Sequence, residues 1–285
     1  MQEFGLHVDS LILDNRPHKC QYKDEKKSRQ SGWYAVRQFN IGGRWCIAGT
    51  YGSFRLQEKP LHIQSGGNWL FTKDQKIEFR NKLLRNKKIE HEKKIVEHQR
   101  AAQRAQQIWE ASDAVGQSDY LTRKHVQAHG IRFHGNSIIV PMGKEGRMTS
   151  LQCISPDGRK KFLPGGEISG CFFDILGKGK IALCEGYATG ASIHEATGWT
   201  VVICFSASGL VKVAPYFKGM NGLVVCADND IRSEAITGIN TGIESGCKAA
   251  STLGCPILFP EEGDWNDWHV LKGIEEVKRC LMPLK

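Results

Sequence analysis

Four short apolar runs, at 180–184, 200–205, 222–227 and 256–259, divide the last third of the chain. Each is rich in β-branched residues and bounded by polar ones, the pattern of strands buried on both faces of a parallel sheet. Stretches of helical composition fall near 188–197, 209–217, 240–253 and 271–281, with Gly190, Gly198 and Gly254 at helix edges. Strands alternating with helices in so short a span predict a parallel sheet with right-handed crossovers.

The preceding segments are patterned differently. Residues 113–177 predict a short helix over 119–129, ended by Gly130, then strands at 137–140, 148–154 and 161–163. Turns at 143–146 and 156–158 fit antiparallel connections. Residues 74–112 hold no Pro or Gly and are dominated by Lys, Glu, Gln, Arg and Ala, which predicts one helix with Asp74 as its N-cap. Such a helix is roughly 50 Å long, and its stripe of Ile77, Leu84, Ile95 and Val96 is too thin for a long coiled coil. Residues 1–73 are punctuated by glycines, with strand composition at 33–37 and 45–48. The expectation is an α/β chain in four parts. A β-rich basic and aromatic module at 1–73 is followed by a helical connector at 74–112, a small basic α+β subdomain at 113–177 and a parallel-sheet domain at 178–285.

The strand ends carry the candidate chemistry. The run at 180–184 delivers Glu185 followed at once by Gly186, and the run at 222–227 delivers Asp228 and Asp230. Ligands of open α/β sheets bind beyond the carboxyl ends of the strands, so these acids are expected to converge at one edge. Gly186 permits a tight turn and a close backbone approach to a ligand. Asp264 and Asp267, within Asp264-Trp-Asn-Asp267-Trp-His269, are expected in a loop that reaches the same edge. Acids gathered without His or Cys partners suit a hard divalent cation, Mg²⁺ or Mn²⁺. Such a cation stabilises a phosphoryl oxygen and positions an attacking one. Glu185, apart from the aspartate pair in sequence, is the candidate general base or acid.

Charge placement adds a partner class. The formal charge is +9, of which residues 1–73 and 74–104 each contribute an excess of five, while residues 105–285 net −1. An anionic partner, most simply nucleic acid, accounts for that asymmetry. Cations and rings interleave in the first part, Arg29, Trp33, Arg37, Trp45 and Arg55 among them, as single-strand binding requires. The ten cysteines include no Cys-x-x-Cys, and several lie in apolar runs, so neither a disulfide framework nor zinc is expected. No apolar run approaches membrane-spanning length and the first residues do not read as a signal peptide. A cytoplasmic protein with no membrane partner is the expectation.

Residues 178–285 resemble the Toprim domain shared by bacterial primases, topoisomerases and some nucleases. The segments Glu185-Gly-Tyr-Ala-Thr-Gly190, Ala227-Asp-Asn-Asp230, Asn240-Thr-Gly242 and Gly263-Asp-Trp-Asn-Asp267 are most similar to primases of conjugative plasmids and phages. Upstream, Tyr120-Leu-Thr-Arg-Lys124, Ile139-Val-Pro-Met142, Leu151-Gln-Cys-Ile154 and Lys161-Phe-Leu-Pro-Gly-Gly166 resemble the subdomain preceding Toprim in those primases. Gly32-Trp-Tyr and Ala48-Gly-Thr-Tyr-Gly-Ser53 are similar to their amino-terminal region. The resemblance implies a bacterial DNA primase that makes short RNA primers on single-stranded DNA from ribonucleoside triphosphates. It implies catalytic and metal-binding roles for Glu185, Asp228 and Asp230, and secondary metal roles for Asp264 and Asp267. Arg123, Lys124, Arg147, Lys160 and Lys161 would contact nucleotide or template, and any helicase would be a separate replication protein. Trp265 and Trp268 stand where the family usually has apolar residues other than Trp, which leaves ring stacking open there. A Toprim nuclease and a non-catalytic single-stranded-DNA-binding accessory remain alternative readings.

Overall fold

The computed structural model describes residues 1–23, 25, 30–41, 43–54, 59–64 and 72–282. Contacts divide the chain into two units, Met1–Glu92 and Lys93–Lys285. The first unit is an antiparallel sheet of β1 (Leu6–His7), β2 (His18–Tyr22), β3 (Gly32–Ile41), β4 (Arg44–Ser53) and β5 (Leu61–Gln64), in that order. The central hairpin runs in register from Gly32↔Ser53 to Ile41↔Arg44. Alternation then sorts its side chains by face. Tyr34 and Val36 join Leu6, Cys20 and Tyr22 in one core. Phe39, Ile41, Cys46 and Ala48 form another with Phe79 of α1 (Lys73–Ala111). Only glycine fits at 49, where an added Cβ would lie 2.2 Å from Ala35 O.

Thr72, rather than the expected Asp74, caps α1. Its hydroxyl accepts from Gln75 N–H at 3.3 Å, and the Gln75 side chain accepts from Thr72 N–H at 3.1 Å, a reciprocal capping box. The expected stripe of Ile77, Leu84, Ile95 and Val96 is exposed. The buried positions are Phe79 in the first unit and Ala101 and Ala105 in the second. One helix thus feeds two separate cores, so no single apolar repeat runs along it.

In the second unit, α2 (Asp119–Lys124) stops short of the expected residue 129 because His125 turns left-handed, φ 54°. An antiparallel sheet follows in the order β6 (Arg132–His134), β7 (Ser137–Lys144), β8 (Arg147–Ile154) and β9 (Lys160–Phe162). The last sheet has the order β10-β12-β11-β13-β14, from β10 (Phe173–Ile175), β11 (Ile181–Cys184), β12 (Thr200–Ile203), β13 (Leu223–Cys226) and β14 (Ile257–Leu258). The four expected strands are parallel, and β10, which the pattern does not predict, is added at the edge by pairing antiparallel with β12.

Helices flank this sheet on both faces. Ala182, Cys184, Val201 and Ile203 pack under α3 (Tyr187–Thr197), α7 (Trp265–Lys272) and α8 (Ile274–Leu281). Leu183, Val202 and Val225 pack under α4 (Ala207–Phe217) and α6 (Thr241–Leu253). The first of these cores also takes in Tyr120, Phe133, Ile138 and Ile154, so the antiparallel and mixed sheets share one interior. Two helices were not expected: α5 (Ile231–Thr237), and α7, set apart from α8 by Gly273 at φ 88°.

Candidate active site

The chain passes from β11 to β12 through α3 on one face, then returns through α4 on the other face to β13, on the far side of β11. Such a switch point opens a crevice beyond the carboxyl ends of the strands. Leu183 pairs with Val225, which sets Glu185 level with Ala227 and beside Asp228.

Glu185 precedes Gly186, the N-cap of α3, and its carboxylate accepts from Ala207 N–H at the amino end of α4. Its Oε1 is buried without a hydrogen-bond partner, as is Oδ1 of Asp228. Asp230 is held more firmly: Oδ2 accepts from Gly242 N–H at 3.1 Å, and its own N–H donates to Asn240 Oδ1 at 3.1 Å. Asn240 caps α6 by accepting from Ile243 N–H at 3.2 Å and donates to Asn229 Oδ1 at 2.9 Å. Asn229 donates in turn to the carbonyls of Pro260 and Glu261, at 3.0 and 2.8 Å. Two asparagines therefore fix the loop that bears both aspartates. Both lie in segments that carry the resemblance, Ala227-Asp-Asn-Asp230 and Asn240-Thr-Gly242, but an uncharged side chain gives no electrostatic signal of this role.

Asp264 and Asp267 do not lie in a loop. Asp264 caps α7 by accepting from Asn266 N–H at 2.7 Å and Asp267 N–H at 2.8 Å, and the Asp267 carboxylate reaches back to Asp264 N–H at 3.5 Å. Asp267 Oδ1 also stands 3.1 Å from Lys124 Nζ. Trp265 and Trp268 are buried in the core, so the ring stacking left open for them is not available.

The cations divide into two sets. A Cβ added to Gly186 would lie 3.5 Å from Lys160 Nζ, so Lys160 stands beside Glu185. Lys161, next along β9, leaves the strand on its opposite side. Arg123 donates to Pro156 O at 2.8 Å. Arg147 lies exposed, 3.9 Å from Glu145. The structure thus gathers Glu185, Asp228, Asp230, Asp264 and Asp267 with Lys124 and Lys160, engages Arg123 and Arg147 elsewhere, and sets Lys161 on the other side of β9 from Lys160. In the first unit, Trp33 and Arg37 share one face of the sheet and Trp45 lies on the other. Arg29 and Arg55 fall outside the described residues.

Burial, then the Asp230 charge, raises the Glu185 pKa to about 7, with Lys160 opposing. Burial, then the charges of Glu185, Asp264 and Asp230, raises Asp228 to about 9. Two buried carboxylates with unpartnered oxygens that repel each other fit a hard divalent cation, whose charge would replace the protons. Among the described residues, no three His, Cys, Asp or Glu side chains are already closed to metal-binding geometry. The donors are all oxygen, a set that suits Mg²⁺ or Mn²⁺.

Residues 180–275 match the Toprim domain family. Two Escherichia coli proteins named DNA primase TraC are similar to the chain. One is 27% identical over 263 residues, covering 87% of this chain and 24% of its own length. The other is 32% identical over 154 residues, covering 50% and 11%. The chain thus spans about a quarter or less of the length of these relatives. The crystal structure of the RNA polymerase domain of Mycobacterium tuberculosis primase DnaG is 14% identical with a TM-score of 0.38, over 57% of this chain and 61% of that one. Residues 180–275 are a Toprim domain, carried by a chain that is similar along most of its length to TraC DNA primases.

Proposed function

We propose that this chain is a DNA primase core, joining ribonucleotides on single-stranded DNA. The observation that carries the reading is the pair of unpartnered buried carboxylate oxygens, on Glu185 and Asp228, at the switch point of a Toprim sheet. In the joining step, a 3′-hydroxyl oxygen forms a bond to the α-phosphorus of a ribonucleoside triphosphate. The bond from that phosphorus to the β-phosphate bridging oxygen breaks, and pyrophosphate leaves. Glu185 accepts the hydroxyl proton. Lys160 and Lys124 hold the triphosphate by charge. Asp228 and Asp230 would hold Mg²⁺ or Mn²⁺, which supplies positive charge against the negative charge developing on the phosphoryl oxygens. Asp264 and Asp267 support the site as the cap of α7 and as the partner of Lys124.

The test is incubation with single-stranded DNA, labelled ribonucleotides and Mg²⁺ or Mn²⁺. Short RNA made de novo is expected, and Asp228→Ala should abolish it while leaving DNA affinity nearly intact. Shortened DNA would show a nuclease instead, and a gel shift without product or cleavage would show a non-catalytic accessory.

A further inference from the structure

The first unit carries a second surface. Alternation along β2, β3 and β4 places Lys19, Trp33, Ala35, Arg37, Ala48 and Thr50 on one face of the sheet. At one end of this face, α1 crosses over it and encloses a cleft of about 460 Å³. Ala35, Ala48 and Thr50 form its floor, and Phe79 and Leu83 line its wall. Glu90 pairs with Arg37 and accepts from Asn15 Nδ2 at 2.9 Å, which ties β3 to α1 at the rim. At the other end, no described residue covers the face. The Trp33 and Phe54 rings lie 6.3 Å apart at 35°, and the Lys19 ammonium stands 5.9 Å from the centre of the Phe54 ring. Phe54 is 63% exposed.

We propose that this face binds single-stranded nucleic acid. One base enters the cleft, a neighbour stacks on the Trp33–Phe54 pair, and the exposed Lys19 and Lys87 take phosphates. Small floor residues leave clearance for a flat ring, and the cleft has the volume of a small-ligand site. Exposed rings beside ammonium groups suit bases and phosphates together, whatever the sequence. Residues 1–92 carry a formal excess of seven positive charges, complementary to a phosphate backbone. The surface and the carboxylate site share no residue, so failure of the one would leave the reading of the other standing.

The full chain is irradiated with an oligothymidylate that carries one 5-iododeoxyuridine, and the adduct is mapped by mass spectrometry. An adduct on Trp33 or Phe54 is expected. By fluorescence anisotropy, Phe54→Ala should weaken oligothymidylate binding about five- to tenfold. Lys19→Ala with Lys87→Ala should lower the slope of log affinity against log salt by about 1.4. Trp45→Ala, on the opposite face, should change neither. Adducts confined to residues 93–285, or unchanged affinity and slope in both variants, would overturn the proposal. The cross-link uses the unaltered protein, so it decides the matter even where a variant does not fold.

Discussion

The two raised carboxylates make stability depend on pH in a direction opposite to that of most acids. Folded Asp228 holds its proton up to about pH 9 and Glu185 up to about pH 7, against ordinary values of 3.8 and 4.5. Between those ordinary values and the raised ones, the folded state binds more protons than the unfolded state. Stability is therefore greatest below the ordinary values and falls as pH rises toward the raised ones. One excess proton corresponds to about 1.4 kcal/mol per pH unit. Counting only one, the metal-free protein loses about 3 kcal/mol between pH 5 and pH 7, and Asp228 extends the loss toward pH 9. For a unit of this size that is a drop of roughly 6–12 °C in melting temperature.

The assay is thermal denaturation of the full chain from pH 5 to pH 9 in EDTA and again with millimolar Mg²⁺, for the wild type and Asp228→Asn. The neutral amide keeps the shape and removes one proton-binding group. Its melting temperature should fall less steeply with pH, and it should exceed the wild type at pH 8 in EDTA. Mg²⁺ should raise the wild-type melting temperature more at pH 8 than at pH 5, because a cation competes with the protons for the same oxygens. Parallel pH profiles for the two proteins, or equal Mg²⁺ stabilisation at both pH values, would refute the reasoning.

Other consequences follow from single contacts. Lys160→Ala should raise the nucleotide concentration needed for half-maximal primer synthesis, and Lys161→Ala should leave it near wild type; equal effects would show that the alternation on β9 does not select between them. Asn266 is fully buried and donates to Lys124 O at 2.7 Å and Ser192 Oγ at 2.9 Å. Asn266→Ala takes the donor from Lys124 O and leaves Ser192 Oγ only its bond with His269 Nδ1 at 3.0 Å, which should cost about 1–3 kcal/mol, seen as a lower urea midpoint. Gly49→Ala forces a Cβ against Ala35 O and should cost about 1–3 kcal/mol. Hydrogen exchange should register that loss within residues 1–92, and exchange unchanged there would show that the sheet gives way at no cost.

The four parallel strands of the mixed sheet are legible in the sequence because β11, β12 and β13 bury both faces, which leaves unbroken apolar runs. Elements with weaker signals were missed for physical reasons. β10 contributes Phe173-Asp-Ile175, too short and too polar to stand out, and it becomes a strand only because β12 offers a free edge. The lack of Pro and Gly places α1 within a residue at each end, but its thin apolar stripe does not name the residues that it buries. Its apolar positions answer to two cores rather than to one repeat, and alanines do the burying in the second unit. The first module was harder to read, since register and face emerge only when β3 and β4 pair. Trp33 and Trp45 look alike in sequence, and one residue of phase sends them to opposite faces.

The candidate site shows how far counting acids can go. Glu185, Asp228 and Asp230 were placed by one rule, that strand ends face the crevice, and the register of β11 with β13 sets them side by side. Asp264 and Asp267 were expected among them as further cation ligands, and two acids three residues apart look the same in a loop and in a helix cap. The difference lies in the N–H groups each carboxylate already serves. Asp264 accepts from two backbone N–H groups, and Asp267 is drawn between one N–H and Lys124. Oxygens committed to the cap have few lone pairs left to offer, whereas Glu185 Oε1 and Asp228 Oδ1 are buried with none taken. Burying an unsatisfied carboxylate oxygen is costly, and a fold retains two of them side by side when something outside the chain satisfies them. The same contrast gives a ranking: removing Asp228 should act chiefly on cation affinity, and removing Asp264 chiefly on the stability of α7. Isothermal titration with Mn²⁺ and urea denaturation, run on Asp228→Asn and Asp264→Asn, separate the two, and a larger loss of Mn²⁺ affinity in the Asp264 variant would reverse the assignment.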